Sequence, residues 1–181
     1  MRVGGLLAAA VLGLSACSAA GPQGSASPSG STAGRVAEPD QGTASGEQTL
    51  SFSATTLEGG ELDVSTMAGQ PVVLWFWTPW CTICRAEAPE VARVAGDLEG
   101  QVTFLGVPGL GPEADMREFV ADTGTGGIGH LVDSDGSLWQ RFGVVSQPSY
   151  VFVAPDGSAK AFSGALGGDE LQARAESLVG G

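Results

Sequence analysis

The hydrophobic pattern is clearest at Val72–Trp77, an unbroken apolar run rich in β-branched and aromatic residues. A short run of this kind is typical of a strand that is buried on both faces. Thr78-Pro79 ends the strand, because proline has no N–H to donate to a neighbouring strand. Between Arg85 and Leu98 the apolar residues recur at helical spacing, which predicts an amphipathic helix. Its apolar face carries Ala88, Val91, Ala92, Ala95 and Leu98.

Further elements are predicted on both sides of this strand and helix. Alternation at Leu50, Phe52 and Ala54 predicts a first strand, and Gly59-Gly60 predicts a two-residue hairpin turn after it. The next predicted elements are a buried strand at 102–107 and a helix at 112–123 with Met116, Phe119 and Val120 inward. A short strand beginning at His130, a short helix at 138–142 and strands at 149–153 and 159–162 follow. The last predicted element is a helix capped by Gly168-Asp169 with Leu171, Ala175, Leu178 and Val179 inward. Strands separated by a helix imply parallel pairing with a right-handed crossover, so we expect an α/β domain.

A cysteine pair, Cys81 and Cys84, lies where the central strand turns into the helix. Free N–H groups and the helix dipole favour a negative charge at a helix N-terminus, so we expect Cys81 to be acidified toward the thiolate. The thiolate is the species that attacks a disulfide, and Cys84 is placed to resolve the mixed disulfide. Trp80 beside Cys81 offers an apolar rim to a protein substrate. A zinc site usually needs four ligands, whereas this chain has one such pair and a single histidine, so redox chemistry is favoured.

The N-terminal segment predicts export and tethering. Arg2 followed by the apolar stretch 6–14 has the pattern of a signal peptide and is too short to span a bilayer. Leu14-Ser15-Ala16-Cys17 resembles the lipobox of bacterial lipoproteins, which implies that Cys17 receives a diacylglycerol and becomes the new N-terminus after cleavage. An ordinary secretory signal is the alternative. Residues 18–48 are mostly Ala, Gly, Ser, Pro and Thr, which predicts a flexible linker. The predicted organisation is a signal peptide at 1–17, a linker at 18–48 and one domain at 49–181.

Charge and cysteine usage narrow the class of function. A net charge of −12 argues against nucleic acid as a partner, because binding phosphates needs basic clusters. It argues equally against adsorption to anionic lipid, which makes a covalent anchor more necessary. With Cys17 assigned to lipid, the pair provides the remaining thiols, in a compartment where disulfides persist. We expect a monomer without a metal or cofactor.

The segment Phe76-Trp77-Thr78-Pro79-Trp80-Cys81-Thr82-Ile83-Cys84, continued by Arg85-Ala86-Glu87-Ala88-Pro89, resembles the active site of TlpA/ResA/DsbE-like proteins. The resemblance implies a thioredoxin-like fold: a central mixed β-sheet flanked by helices, with an N-terminal β-hairpin and a central inserted helix. It also implies thiol:disulfide exchange with exported proteins and a membrane redox partner, outside the cytoplasmic membrane.

Two further site residues follow from the resemblance. Pro148 matches the proline that is cis in thioredoxin-like folds and faces the cysteines; an ordinary trans turn proline is the alternative. Backbone groups near Gln147 would then be free to pair with an extended substrate.

Glu87 is the candidate acidic group near the thiols. The buried aspartate of thioredoxin would fall at Trp75, so that group is absent, and Glu87 matches the glutamate that assists thiol deprotonation in the TlpA/ResA pattern. A carboxylate three residues after Cys84 shares its helix face and could act as its base. The alternative is ordinary dipole complementation in the first turn. Arg85, four residues after Cys81, is expected to be solvated, with stabilisation of the thiolate as the alternative. His130 is expected to be structural or on the surface.

The direction of electron flow stays open. An oxidase is slightly favoured over a reductase of apocytochrome c or other exported disulfides. A thiol peroxidase is another alternative, because Thr78 lies three residues before Cys81 as in peroxiredoxin-like sites. The non-enzymatic alternative is a copper-binding envelope protein that holds Cu(I) on Cys81 and Cys84.

Overall fold

The computed structural model describes residues 46–180. The helices are α1 Gly46–Thr49, α2 Thr82–Asp97, α3 Glu113–Thr123, α4 Ser137–Arg141 and α5 Gly168–Glu176. The strands are β1 Ser53–Thr55, β2 Glu61–Asp63, β3 Val72–Trp77, β4 Thr103–Pro108, β5 Gly129–His130, β6 Ser149–Val153 and β7 Ala159–Ser163. Short 3-10 turns at Val64–Met67 and Thr125–Gly127 complete the regular structure of this part of the chain.

Five strands form a mixed sheet in the order β5-β4-β3-β6-β7, beside a β1-β2 hairpin. β3 pairs in parallel with β4 and antiparallel with β6, so it is the central strand. The helix α2 connects β3 to β4, as the predicted crossover requires. The expected α/β architecture, with a mixed sheet, an N-terminal hairpin and an inserted helix α3 after β4, is confirmed.

The central strand supplies side chains to two separate core layers. Val73, Trp75 and Trp77 pack on the side of α2, α3 and α5. Their alternate neighbours Val72, Leu74 and Phe76 pack on the side of α4 and the hairpin; none of the six side chains reaches solvent. Fully burying one such side chain stabilises the fold by about 1.5–3 kcal/mol, so this strand is a large part of the core.

The hairpin turn is longer than the predicted two residues. Thr55 pairs with Glu61, so residues 56–60 form the connection, and Gly59-Gly60 is only its end. Leu57 explains the difference: its N–H donates to the carbonyl of His130 (3.0 Å) and its side chain is buried. The chain therefore leaves the hairpin to contribute to the main core before it turns back.

Helix ends differ from prediction at three places. The helix α1 includes the last predicted linker residues, 46–48. Gly167 is the N-cap of α5 and makes no side-chain hydrogen bond, so the predicted capping by Gly168-Asp169 is wrong. Asp169 lies in the first turn instead, where its carboxylate complements the helix dipole. Val179 is 49% exposed because α5 ends before it, at Glu176.

The buried faces of α2 and α3 differ slightly from the predicted ones. In α2 the buried positions include Val94, whereas Ala92 is only half-buried. In α3, Met116 and Phe119 are fully buried as predicted, and Val120 is half-buried against the same core.

His130 is fully buried at the edge of the sheet, so its predicted structural role is confirmed. Its Nε2 pairs with the carbonyl of Thr125 (3.1 Å), and its ring meets Trp77 edge-on at 5.6 Å. A Cβ at Gly106 would overlap the His130 ring and approach the Trp77 indole, so only glycine fits beneath the two rings. Burial lowers the pKa of His130, which keeps it neutral.

Within residues 46–180, no helix combines the length and apolar character that crossing a membrane requires.

Candidate active site

The turn between β3 and α2 brings Cys81 to the helix N-terminus, as predicted. Cys81 is the N-cap residue, and its own N–H donates to the carbonyl of Thr78 (3.1 Å). The Sγ of Cys81 accepts a hydrogen bond from the N–H of Cys84 (3.0 Å). The first turn of α2 contains no acidic residue, so nothing in that turn opposes the positive end of the helix. Negative charge on the Cys81 sulfur is therefore favoured.

Cys81 and Cys84 form a disulfide, with their Cα atoms 5.3 Å apart. Cys84 is fully buried, whereas Cys81 retains 6% exposure. A protein thiol approaching from solvent therefore meets Cys81 first. The exposed side chains on either side, Trp80 and Ile83, are 59% and 56% accessible and uncharged.

Glu87 is buried beneath the helix, and its carboxylate has two hydrogen-bond donors. Oε1 accepts from the indole Nε1 of Trp75 (2.8 Å), and Oε2 accepts from the N–H of Leu166 (3.2 Å). Because α2 starts at Thr82, Glu87 lies in the second turn, and its exposure is only 7%. Dipole complementation in the first turn is therefore not its role. The carboxylate instead connects the central strand to the segment before α5.

Burial raises the pKa of Glu87, and the hydrogen bond from Trp75 opposes that rise. Tyr150, on β6, borders the same carboxylate. Burial and the Glu87 charge raise the pKa of Tyr150, so it remains a protonated hydroxyl. Within the described residues this hydroxyl has no partner at hydrogen-bonding distance. A proton on Glu87 is thus stabilised by the apolar surroundings and resisted by the donors from Trp75 and Leu166.

The Gln147–Pro148 peptide bond is cis, as predicted. Ser149 pairs with Phe76 across β3 and β6, so Pro148 comes level with Trp77 at the end of β3 that leads to Cys81. Gln147 belongs to the irregular segment before β6. The sheet register therefore brings the two loops of the predicted site to the same edge.

Trp80 and Arg85 contact the region after β4. The indole Nε1 of Trp80 donates to the carbonyl of Leu110 (2.9 Å). Arg85 pairs with Asp122 of α3 (3.0 Å), and its guanidinium lies 4.9 Å from the centre of the Phe119 ring. Arg85 is exposed, as expected, and its ion pair with Asp122 also links α2 to α3.

The structure groups the predicted site residues into one region, except for Cys17, which lies outside the described residues. Cys81, Cys84 and Glu87 share α2, Trp80 borders it, and Gln147 and Pro148 reach its end through the sheet. Sequence reasoning missed Trp75 and the Leu166 N–H, which donate to the Glu87 carboxylate, and Tyr150, which borders it. Trp75 and Tyr150 fall in predicted strands and Leu166 in no predicted element, so only the tertiary packing brings them to an acid.

A disulfide at the N-cap of the helix after a central strand, beside a cis-proline loop, defines the class of thioredoxin-fold thiol-disulfide oxidoreductases. The chain belongs to the AhpC/TSA family, because the sequence profile of that family matches residues 45–161.

Several proteins with related sequences or structures support this assignment. The soluble secreted antigen MPT53 of Mycobacterium tuberculosis is 38% identical over 136 residues, covering 74% of this chain and 78% of MPT53. MTB dsbF, solved in mixed oxidized and reduced forms, is 44% identical with a TM-score of 0.70, covering 72% of this chain and 96% of dsbF. A secreted Mycobacterium tuberculosis disulfide oxidoreductase homologous to E. coli DsbE is 39% identical with a TM-score of 0.68, covering 71% of this chain and 97% of the oxidoreductase.

These likenesses establish two points about the protein. It has the thioredoxin-like fold, and it is a TlpA/ResA/DsbE-like thiol-disulfide oxidoreductase.

The substitution Glu87→Gln tests the electrostatics of the buried acid. Glu87 binds a proton more tightly in the folded state, so its contribution to stability is present below about pH 4.5 and is lost as the pH rises through the folded-state pKa. Glutamine keeps an acceptor for Trp75 but turns its NH2 group toward the Leu166 N–H, so E87Q loses that hydrogen bond at every pH. We therefore expect the unfolding free energy of oxidised E87Q, relative to that of wild type, to rise by about 1–2 kcal/mol between pH 4 and pH 8.

Urea unfolding of the oxidised proteins at both pH values measures this difference. Glu118→Gln is the matched control, because Glu118 is exposed on α3 and should show no such change between the two pH values. A difference in unfolding free energy between E87Q and wild type that is the same at pH 4 and pH 8 would contradict the assignment of a raised pKa.

Proposed function

We propose that this protein exchanges disulfides with exported proteins outside the cytoplasmic membrane, with oxidation of client thiols as the favoured direction. The observation that carries the proposal is the Cys81–Cys84 disulfide at the N-cap of α2, with a backbone N–H aimed at the Cys81 sulfur and no acid in the first turn. A helix end that stabilises the thiolate stabilises the reduced enzyme, and a stabilised reduced form makes the disulfide more oxidising.

The reaction needs two exchange steps. A client thiolate attacks the Cys81 sulfur, the Cys81–Cys84 bond breaks, and Cys84 leaves with the electron pair. A second client thiolate then attacks the client sulfur of the mixed disulfide and releases Cys81 as the thiolate. Two electrons pass from the client to the cysteine pair, and a membrane redox partner receives them in turn. The backbone beside Gln147 and Pro148 pairs with the client segment during both steps.

Glu87 manages the proton of the buried thiol in this proposal. It lies one helical turn after Cys84, on the buried side of α2. Its raised pKa leaves a proton available to the Cys84 thiolate as that sulfur leaves. In the reverse reaction the carboxylate accepts the same proton from Cys84.

A reductase is the second candidate, because the same geometry performs the exchange in either direction. Such an enzyme would reduce selected exported disulfides, those of apocytochrome c included, and a membrane partner would re-reduce Cys81 and Cys84. The two candidates differ in the stability of the disulfide and not in the arrangement of the residues.

The copper and peroxidase alternatives have less support. Residues 46–180 contain no group of three or more His, Cys, Asp or Glu arranged to hold a metal ion, and His130 is engaged with Thr125 and Trp77. Thr78 is fully buried, and Cys81 already has a resolving partner in its own helix turn.

The reduction potential of the cysteine pair decides the direction. Equilibration with glutathione or dithiothreitol buffers should give a value near the roughly −120 mV of the strong oxidant DsbA. A value near the roughly −270 mV of thioredoxin, or below, would instead identify a reductase.

Cys84→Ser should accumulate a mixed disulfide between Cys81 and a client, whereas Cys81→Ser should form none. The reverse trapping pattern would make Cys84 the attacked cysteine and Cys81 the resolving one.

The hydrogen bond from Trp75 to Glu87 gives a separate test of the proton role. The bond lowers the pKa of Glu87, so Trp75→Phe should raise that pKa. Because protonated Glu87 is the proton donor in exchange with a reduced peptide, the alkaline limb of the pH–rate profile should shift to higher pH. Trp77→Phe is a matched control: Trp77 is also buried on β3 and faces the same core layer, but its Nε1 has no partner among the described residues.

The rate of exchange with a reduced peptide, followed from pH 4 to pH 9, measures the shift. We expect a profile displaced by about one pH unit in W75F, the size of one hydrogen bond. The W77F profile should coincide with that of wild type. Equal displacement in both variants would mean that core packing, and not the carboxylate, governs the reaction.

We propose in addition that Cys17 carries a lipid and that the protein acts as a monomer held to the membrane surface. The support is the Leu14-Ser15-Ala16-Cys17 segment and the Gly/Ser/Pro-rich stretch that follows it. The relative MPT53 is called soluble and secreted, so the anchor would separate this chain from that relative.

Detergent phase partitioning of the full-length protein made in its natural host tests the anchor. Wild type should enter the detergent phase, and Cys17→Ser should remain in the aqueous phase, because stable anchoring needs the acyl chains. Cys81→Ser is the control and should partition as wild type does. A wild-type protein found in the aqueous phase would contradict lipidation.

A further inference from the structure

An exposed leucine beside the reactive disulfide has an unusual backbone conformation. Leu110, in the loop from β4 to α3, has φ 55° and is the non-glycine residue with positive φ among those described. Its side chain is 59% exposed. Leucine in the left-handed region is disfavoured by contact between Cβ and the following carbonyl, and the side chain gains little burial in return.

The glycines on either side show why this loop is built as it is. A Cβ on Gly109 would lie 2.8 Å from the Trp139 indole, and a Cβ on Gly111 would lie 2.6 Å from the Pro79 ring. Both glycines are therefore needed for close packing against neighbouring side chains. The position between them, where glycine would relieve the backbone, carries leucine instead. The leucine side chain must serve something other than the fold.

Leu110 is tied to the reactive pair through Trp80. The carbonyl of Leu110 accepts the hydrogen bond from the Trp80 indole (2.9 Å), and Trp80 directly precedes Cys81. Ile83, which precedes Cys84 in the first turn of α2, adds a further exposed apolar side chain, and Val145 is an exposed apolar residue two positions before Gln147. All four side chains are uncharged in a chain of net charge −12.

We propose that Leu110 contacts the client polypeptide and selects segments that carry an apolar side chain within about two residues of the reacting cysteine. The inference rests on the proposed disulfide exchange, in which the client sulfur bonds to Cys81. That bond fixes the client backbone beside Trp80, so the residues next to the client cysteine come within reach of Leu110. The hydrogen bond between the Trp80 indole and the Leu110 carbonyl fixes the Leu110 backbone next to Trp80, which limits the entropy lost when a client binds.

The test compares three reagents with the oxidised full-length protein: dithiothreitol, a reduced peptide with leucine beside its cysteine, and the same peptide with serine in that place. Leu110→Gly removes the side chain and suits a positive φ, and Leu110→Asn keeps a side chain that tolerates this region. We expect both variants to react about tenfold more slowly with the leucine peptide, the size of a lost apolar contact in a recognition site. Their rates with the serine peptide and dithiothreitol should stay within about twofold of wild type.

Val179→Ser is the matched control. Val179 is also an exposed apolar residue, but it follows α5 at the opposite end of the sheet, where Leu178 packs near Phe152 and Ala154. Its rates with all three reagents should equal those of wild type.

Other results would overturn the proposal in distinguishable ways. A wild-type rate with the leucine peptide in both Leu110 variants would show that the client does not touch this side chain. An equal loss with dithiothreitol would show that Leu110 acts on the disulfide through Trp80. A wild-type protein that reacts with dithiothreitol but not with the peptides would overturn client contact alone, and failure with dithiothreitol as well would overturn disulfide exchange and this inference together.

Discussion

Burial of β3 on both faces is the constraint on which the rest of this molecule depends. A strand whose every side chain is inaccessible must lie in the middle of the sheet, between β4 and β6. Its C-terminal end therefore opens at the middle of one edge of the molecule, where the chain turns at Thr78-Pro79 into α2. A cysteine at that turn has a helix end behind it and loops from neighbouring strands on both sides. The reactive position follows from the packing of an apolar strand.

The Glu87 carboxylate adds a second level of organisation. It accepts hydrogen bonds from the central strand through Trp75 and from the segment before α5 through the Leu166 N–H. A buried acid is costly to ionise, so these donors are the groups that make its charged form accessible. A tryptophan replaces the buried aspartate of thioredoxin, and its indole points to an acid on the helix instead.

Much of the fold could be predicted from the sequence because its elements have strong periodic patterns. The strand at 72–77, the helix at 112–123 and the short helix near Leu138 appear within a residue or two of prediction. The hairpin turn is the clearest failure, because Leu57 leaves the hairpin for the core. Its N–H and its side chain have partners distant in the chain, which hydrophobic spacing does not record.

The sequence by itself determined the chemistry of this protein: a cysteine pair at a strand-to-helix turn, and a proline before a later strand whose cis bond could be anticipated. The position of the cysteine pair follows from residue type and spacing, and the cis bond from the resemblance to thioredoxin-like proteins. Only the tertiary structure decided what surrounds them. Trp75 meets Glu87, Arg85 meets Asp122, and the Leu110 carbonyl meets the indole of Trp80 through contacts that span 12 to 37 residues of chain. Such contacts form because sheet pairing and helix packing bring distant segments together, and no pattern within one segment specifies them.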